Sequence, residues 1–212
     1  MASVTVKHLI DIIMKLLQDE DDNNVWDEQE LVNYYNLAVR EIISIRPDDN
    51  GTFETIKLAS GVKQQAPAKT IKLIRCTRNM GTDGATPGRQ IHETTLDLLS
   101  AVKPDWSTVS EQSEVQDYCK AEDNVTFYVY PPADGTSYIE IEIAKVPDQL
   151  VWDAGGNWQT AQVAVAEQFV ESVKEYILAK AYQKDTDIPG NESRAADHYK
   201  KFLLTVGIDI GE

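Results

Sequence analysis

The chain has 212 residues, 42% hydrophobic and 26% charged, so it is long enough for one large domain or two small ones with a real core. Its formal net charge is -15, and an acidic surface repels phosphate, which argues against a protein that reads DNA or RNA sequence. Cys76 and Cys119 lack metal-type spacing and are predicted to be buried thiols, and no apolar run approaches the roughly 20 residues of a membrane span.

Two amphipathic helices are predicted before Pro47, which ends the second of them. The first covers residues 4–18, and the acidic run at 19–22 is predicted to end it as a solvated loop. The second begins with a capping box, in which Asp27 is the N-cap and Glu30 is the third helical residue. Its buried stripe is predicted to consist of Leu31, Tyr34 or Tyr35, Ala38, Ile42 and Ile45.

The middle of the chain changes from helical spacing to the alternation of strands. The predicted elements are, in order, strands at 53–58 and 71–78, a polar glycine-rich loop at 81–88, a short helix at 93–102 and a β-meander at 115–146. Within the meander, residues 131–135 are predicted to turn the chain. Ile139, Ile141 and Ile143 then alternate with glutamates, which is typical of a strand with one wet face.

The loop and the short helix in this region carry no chemical motif. The loop lacks the Lys-Ser or Lys-Thr that follows a phosphate-cradling loop, so a surface loop is predicted. Thr94 or Thr95 is predicted to lie near the cap of the short helix. The residues predicted to pack inward from this helix are Leu96, Leu99 and Val102.

Residues 159–206 predict two antiparallel helices joined by a short turn at 186–191. The buried face of the first helix is predicted to hold Val163, Ala166, Val170, Val173, Ile177 and Ala181. The buried face of the second is predicted to hold Ala195, Tyr199, Phe202 and Val206. Asn191 is predicted to cap the second helix, and Gly207 stands where a helix C-terminus favours glycine. The joint apolar face of this hairpin needs a partner, which the N-terminal helices supply.

These elements predict an α+β fold in which N-terminal and C-terminal helices complete one helical bundle. The helical body covers 4–46 and 159–206, and a largely antiparallel, β-rich insertion covers 52–148. A tail covers 207–212, and residues 1–212 are predicted to form a single protomer.

The pattern of chemically active residues predicts a protein without catalytic, cofactor-binding or metal-binding residues. His8, His92 and His198 do not share helical or strand spacing with each other or with a cysteine, as a metal site requires. His198 lies beside Asp197 and Lys201, which is typical of an exposed charged face. No Gly-x-Ser-x-Gly motif is present, and carboxylates are so abundant that no single pair is informative.

Several segments, in a consistent order along the chain, carry a family resemblance. They are residues 31–42 (Leu-Val-Asn-Tyr-Tyr-Asn-Leu-Ala-Val-Arg-Glu-Ile), Arg46-Pro47-Asp48, Arg78-Asn79-Met80, Pro104-Asp105-Trp106, residues 127–132 (Phe-Tyr-Val-Tyr-Pro-Pro), residues 176–185 (Tyr-Ile-Leu-Ala-Lys-Ala-Tyr-Gln-Lys-Asp), Asn191 and Arg194-Ala195-Ala196-Asp197-His198-Tyr199. Together they resemble the head-to-tail adaptor, or connector, proteins of tailed bacteriophages, chiefly those of short-tailed phages. That family has no catalytic residues to carry over.

The resemblance implies a structural protein of the virion, located at the head–tail junction and made in the cytoplasm of the host bacterium. It implies a ring, commonly of twelve copies, that docks under the portal protein, extends the DNA channel and presents a surface to a tail-tube, nozzle or tail-fibre protein. An acidic wall fits this expectation, because genomic DNA would slide past it without sequence-specific binding. A ring fits as well, since a closed head-to-tail contact lets one subunit type form a passage.

The tail at 207–212 and the helix end before it are predicted to meet the portal or a tail protein. The candidate interface residues are Phe202, Leu203, Leu204, Val206, Ile208 and Ile210. The alternative is a segment that folds onto its own bundle or frays. Two other functions stay open, namely another phage tail-tube or tail-completion protein and an enzyme with an unrecognised carboxylate site.

Overall fold

The computed structural model of the chain describes residues 4–17, 26–153, 156–184, 188–209 and 211. In chain order its elements are α1 (Val6–Leu17), α2 (Glu28–Ile45), β1 (Gly51–Lys57), β2 (Ser60–Gln65), β3 (Thr70–Asn79), β4 (His92–Glu93), α3 (Leu96–Val102), β5 (Asp117–Lys120), β6 (Thr126–Asp134), β7 (Tyr138–Lys145), α4 (Val170–Lys184) and α5 (Asn191–Thr205). In sequence, N-terminal and C-terminal helices flank a mostly antiparallel β region, which confirms the predicted α+β class. None of the helices in the described ranges is long and apolar enough to cross a membrane.

The chain divides into two compact units. The helical unit comprises Met1–Asp49 and Pro147–Glu212, and the β unit comprises Asn50–Val146. The helical unit therefore takes one part of its chain from each side of the β unit in sequence. The acidic run predicted as a loop at 19–22 lies outside the described residues, and so do residues 186 and 187 of the predicted turn.

Helix α2 begins where its sequence predicts. The Asp27 side chain accepts a hydrogen bond from the Glu30 N–H at 2.6 Å, which confirms the N-cap. The Glu30 carboxylate accepts from the Tyr34 hydroxyl at 2.7 Å and from the Lys184 ammonium. Glu30 thus holds Lys184 of α4 instead of completing the predicted capping box, because a charged partner from another helix is within its reach.

The buried face of α2 selects Tyr35 over Tyr34 and is wider than predicted. Its buried residues are Leu31, Val32, Tyr35, Ala38, Val39, Ile42 and Ile43. Ile45, predicted to belong to the stripe, is half-buried at the helix end. The Ala164 N–H donates to the Tyr35 hydroxyl at 2.9 Å, and burial raises the pKa of Tyr35 to about 12. The hydroxyl therefore stays a neutral partner for a backbone group in the core.

The C-terminal hairpin forms, but its first helix is shorter than predicted. Helix α4 begins at Val170, and the segment before it is held against the N-terminal segment. The Val6 N–H donates to the Ala161 carbonyl at 2.9 Å, and the Val163 N–H donates to the Val4 carbonyl at 3.0 Å. Val163 is buried as predicted, yet in this paired segment and not on a helix. The backbone groups that a longer helix would use are already bonded here.

Helix α5 differs from the prediction at its N-terminus. Its N-cap is Gly190, at a φ of 93°, and Asn191 is a buried residue inside the helix, so the prediction of Asn191 as the cap is wrong. Glycine suits this place because a φ in the left-handed region disfavours other residues. Phe202 and Val206 are buried as predicted, whereas Tyr199 is 41% exposed. Helix α5 packs mainly on α4, so a narrower face is covered than predicted.

The β unit is built from two sheets around one apolar cluster. One sheet has the strand order β1-β7-β3 and the other has the order β2-β6-β5-β4. The pairs are antiparallel except for β4 with β5. The cluster combines side chains from both sheets, and Ile139, Ile141 and Ile143 of β7 are fully buried, as their alternation predicts.

The predicted β-meander is wrong in its second pairing and in its turn. Strands β5 and β6 pair, but β7 joins β1 and β3 in the other sheet. Strand β6 continues through Pro131 and Pro132 to Asp134 instead of turning at the prolines. The prolines are tolerated because the register with β2 shifts between Gly61 and Lys63, so that ladder leaves them unpaired. Strand β2, polar in sequence, occupies a stretch predicted as loop.

Helix α3 is more exposed than predicted. Thr95 is its N-cap and accepts a hydrogen bond from the Leu98 N–H at 3.3 Å, which resolves the choice between the two threonines. Leu99 is buried, but Leu96 and Val102 are 42% and 67% exposed. The prediction that these two pack inward is wrong, because two short turns place only one of the three side chains over the core.

Candidate functional site

The predicted interface residues do not share one surface. Phe202 and Val206 lie in the core of the helical unit and are 0% and 1% exposed. Leu204 is 53% exposed, and Leu203 and Ile208 are half-buried. A fully buried side chain cannot touch a partner in this conformation. The surface that these residues offer therefore consists of Leu203, Leu204 and Ile208, and docking at it stays a prediction.

The end of α5 is a Schellman motif. The Gly207 N–H donates to the Leu204 carbonyl at 3.0 Å, and the Ile208 N–H donates to the Leu203 carbonyl at 2.9 Å. Gly207 has a φ of 78°, which confirms the predicted glycine at this helix end. The motif starts the tail segment, defined as residues 207–212, in a fixed direction. Ile210, the last of the predicted interface residues, lies outside the described residues.

A side chain from α2 closes the same helix end. Arg46 is the C-cap of α2, and its backbone N–H donates to the Ile42 carbonyl at 2.8 Å. Its Nε donates to the Val206 carbonyl at 2.6 Å, and its Nη2 donates to the Gly207 carbonyl at 2.8 Å. The guanidinium thus bonds two carbonyls at the end of α5 and puts a positive charge at the negative end of the helix dipole.

The sequence pattern alone assigns no role to Arg46. One signal is present, since Pro47 forces the residue before it out of the helical region. Arg46 has φ -124° and ψ 62°, so its side chain leaves α2 at the point where the chain turns away. What it bonds is decided by residues 160 positions later in the chain, which no local pattern reveals.

A buried carboxylate lies between α4 and α5. Glu175 is 6% exposed, and its Oε2 lies 2.7 Å from Nδ1 of His198. Because a carboxylate only accepts hydrogen bonds, Nδ1 carries the proton in this pair. The imidazole also stacks on Tyr182 with ring centroids 5.5 Å apart, and the Lys174 ammonium lies 3.7 Å from the other Glu175 oxygen. The prediction of His198 on an exposed charged face is therefore wrong, because a buried carboxylate needs a partner.

A shallow groove of about 330 Å³ runs along α4 and α5. It is lined by Ala179, Lys180, Gln183, Glu192, Ala195, Ala196 and Tyr199. Among these residues Glu192 is the only carboxylate, so the groove does not bring two carboxylates together. Its small alanines and its exposed tyrosine are more typical of a surface that contacts protein.

The exposed face of the β1-β7-β3 sheet carries a row of ion pairs. Arg75 Nε lies 2.6 Å from the Glu142 carboxylate, and Arg78 Nε lies 3.2 Å from the Glu140 carboxylate. Phe53, 55% exposed, lies beside them with its ring centroid 5.9 Å from the Arg75 guanidinium carbon. These two arginines are thus matched by acids, which disfavours a nucleic-acid footprint formed by them.

Three aspartates with lowered pKa values close turns of the β unit. The Thr86 hydroxyl and the N–H groups of Ala85 and Thr86 donate to Asp83 and lower its pKa to about 2. The pKa of Asp123 is lowered chiefly by a threonine hydroxyl, and that of Asp134 chiefly by a threonine N–H. These bonds are local side-chain turns, so the shifts indicate loop stabilisation and not an acid–base pair.

The remaining groups of the β unit with shifted pKa values are two buried thiols and the hydrogen-bonded pair of Tyr118 and Glu93. Cys76 and Cys119 are free and buried, as predicted, and burial raises the pKa of both thiols. Burial also raises the pKa of Tyr118, which donates to Glu93 at 2.8 Å. Partial burial opposes ionisation of Glu93, but bonds from Lys120 and Tyr118 lower its pKa. Within the described ranges no group of three or more His, Cys, Asp or Glu is placed to hold a metal ion.

The charge of the chain is divided unevenly between the two units. The helical unit contains 22 aspartates and glutamates against 10 lysines and arginines, a net charge of -12. The β unit contains 13 against 10, a net charge of -3. The surface of the helical unit is thus the main source of the negative potential of the protein.

Comparison with known proteins identifies one family. A family model described as SU10 adaptor protein matches residues 4–209 of the chain. No curated protein matches the sequence. The family match covers nearly the whole chain and agrees with the resemblance to phage head-to-tail adaptors that the sequence segments carry.

Proposed function

Because the chain belongs to the SU10 adaptor protein family, a family of phage head-to-tail adaptors, we propose that it forms a ring at the head–tail junction of a virion. In this proposal, twelve copies close the ring beneath the portal protein, and the ring extends the DNA channel. Its other side receives a tail-tube, nozzle or tail-fibre protein, and the role is structural, without catalysis. The family match over residues 4–209 carries the proposal.

Exposed apolar side chains of the helical unit support a contact between copies. Ile12 and Leu16 of α1 are 37% and 50% exposed, Leu37 of α2 is 47% exposed, and Leu204 of α5 is 53% exposed. A ring requires two different surfaces on each subunit, because its contact is heterologous and has to close. Exposed apolar side chains on three helices of one unit are the kind of residue that such contacts use.

The charge distribution supports a passage that DNA does not stick to. A net charge of -12 on the helical unit disfavours the release of counterions that drives proteins onto DNA. DNA moving through a ring of such subunits is repelled from the wall and is not read for its sequence. The proposed channel therefore needs neither basic grooves nor base contacts.

Co-expression with the portal protein, followed by negative-stain imaging, tests this proposal. We expect rings with a central opening, both free and attached to portal particles. The control is the portal protein expressed alone, which should show no added ring. If several ionic conditions yield neither rings nor portal complexes, the proposal is wrong.

Pull-down experiments separate the proposal from the two alternatives. A tail-tube or tail-completion protein would retain a tail component but not the portal, whereas the proposed adaptor retains both. An enzyme would turn over a substrate and would lose that activity when one carboxylate is replaced. The groove on α4 and α5, with its single lining carboxylate, gives the enzyme no support.

A further inference from the structure

The first peptides of the tail segment are held from two sides. On the side of their own helix, the N–H groups of Gly207 and Ile208 donate to carbonyls of α5. On the other side, Arg46 donates from Nε to the Val206 carbonyl and from Nη2 to the Gly207 carbonyl. Four hydrogen bonds therefore fix two consecutive peptide groups at the point where the tail segment leaves the helix.

We propose that Arg46 is a positioning residue, which aims the tail segment at the partner that the adaptor docks on. The inference rests on the proposed function, since it assumes that this segment meets the portal protein. The inference adds to the proposed function a source for the direction of the tail segment: this direction is set by a side chain of α2 as well as by the end of α5. A tail segment already held in its bound direction loses less conformational entropy when it docks.

The planar guanidinium is suited to this task in a way that an ammonium is not. Two donors in a rigid fork fix the relative orientation of two carbonyls, whereas a lysine offers a single flexible point charge. Arg46→Lys therefore keeps the favourable charge at the end of α5 but loses the defined geometry. The substitution separates aiming from simple charge compensation.

The absence of a side chain at Gly207 leaves room for the Arg46 guanidinium. A β-carbon on Gly207 would lie 2.3 Å from Nη2 of Arg46, closer than two such atoms approach. The φ of 78° also strains any other residue at this position. Gly207→Ala thus disturbs the same contact from the opposite partner, and it gives a second, independent variant for the test.

A spin label on the tail segment measures its direction and order directly. Asp209 is exposed, and Cys76 and Cys119 are only 3% and 0% exposed, so Asp209→Cys gives one site that a nitroxide reagent reaches in the folded protein. We expect a restricted spectrum in the otherwise unchanged protein and a spectrum close to that of a free peptide in Arg46→Lys. The matched control is Arg40→Lys, an exposed arginine of the same helix, which should leave the spectrum restricted.

Portal binding is the second measurement. If Arg46→Lys frees about one residue of backbone in the unbound protein, docking has to order that residue again, and binding to the portal should weaken about tenfold. The melting temperature of this variant should change little, because the freed residue lies outside the core. Gly207→Ala should give the same pattern, and Arg40→Lys should bind normally.

The outcomes separate this inference from the proposed function. If the unchanged protein binds no portal but the label still loses order in Arg46→Lys, the proposed function fails while Arg46 still orders the tail segment. If portal binding is intact in the unchanged protein and equal in Arg46→Lys, Arg46 does not position a docking segment. An unchanged label spectrum in both Arg46→Lys and Gly207→Ala also overturns the inference.

Discussion

The helical unit and the β unit contain the same number of basic residues but differ in how their charges are compensated. In the β unit at least five basic side chains pair with carboxylates of neighbouring elements, and these are Arg75, Arg78, Lys103, Lys120 and Lys145. In the helical unit the acids outnumber the bases by more than two to one, so its bases cannot neutralise them. The β unit is close to neutral, whereas the helical unit has a large net negative charge that acts on molecules around it.

The two units also hold their carboxylates in different environments. The Glu175 side chain of the helical unit is 8% exposed and is bonded to His198, whereas the Glu142 side chain of the β unit is 16% exposed and its partner Arg75 is 57% exposed. Exposed pairs are screened by water and contribute little to stability, while a buried charge that loses its partner is costly. We therefore expect the loss of one partner of an ion pair to lower stability more in the helical unit than in the β unit.

The largest expected effect is one that the two units should share, because both have closed apolar cores. Phe202→Ala and Phe127→Ala each remove a fully buried ring, and each should lower the free energy of unfolding by about 4 kcal/mol. Phe202 also loses its edge contact with Tyr176, at 5.0 Å between centroids. Urea titration followed by circular dichroism measures both. The control Leu204→Ala, at a 53% exposed side chain, should change stability by less than about 0.5 kcal/mol.

The second prediction compares the two kinds of ion pair. His198→Ala should lower the free energy of unfolding by about 3 kcal/mol, because it leaves the Glu175 carboxylate buried with only the more distant Lys174. Arg75→Ala should cost less, about 1 kcal/mol, since the Arg75 side chain is 57% exposed and the Glu142 side chain keeps more contact with water than that of Glu175. Both variants are measured by denaturant unfolding in the same buffer. Equal losses would show that burial does not distinguish the two units.

The third prediction compares the helix N-caps of the two units. Asp27→Ala removes the 2.6 Å hydrogen bond that starts α2, and it should cost about 1 kcal/mol. Thr95→Ala removes a longer bond of 3.3 Å at the start of the exposed helix α3, and it should cost about 0.5 kcal/mol. Thermal melting of both variants beside the unchanged protein provides the measurement. A larger loss for Thr95→Ala would reverse the expected order.

The smallest expected effect is a pH dependence of the β unit. Asp83 has a pKa of about 2 in the folded chain, below its ordinary value, so its turn gains stability above about pH 4 and loses it as the pH falls towards about 2. Asp83→Asn keeps an acceptor oxygen but cannot titrate, so stability should fall less steeply over that range. A urea midpoint series from about pH 5 to about pH 2 checks this. Asp105→Asn, at an exposed carboxylate of the same unit, is the control, and identical slopes for Asp83→Asn and the unchanged protein would contradict the expectation.

Features that depend on neighbouring residues in the chain could be predicted from the sequence. The Asp27 cap and the Gly207 helix end are set by hydrogen bonds within four or five residues, and the structure confirms both. The alternation of Ile139, Ile141 and Ile143 also decides which face of β7 is buried. The α+β class followed because the terminal helices each present an apolar face that only the other can cover.

Features that depend on distant residues could not be predicted. Strand β7 pairs with strands far from it in sequence. The alternation of apolar and polar residues predicts which face of β7 is buried, but it does not predict which strands pair with β7. Val163 is apolar at helical spacing, yet its N–H bonds to Val4 instead of forming a helix. The bonds of His198 to Glu175 and of Arg46 to Val206 likewise join separate elements. Their residue types suit exposed faces equally well, so only the assembled unit reveals them.

The division of the helical unit by the β unit has a consequence for synthesis on the ribosome. Helices α1 and α2 emerge first, but the α4 surface that covers them is encoded after Val146. At typical elongation rates, translating the β unit takes roughly 5 to 20 seconds, during which both helices lack the cover that α4 supplies. We therefore expect the nascent chain to benefit from a holding chaperone, and the β unit, whose residues are contiguous, is the first part able to close its core.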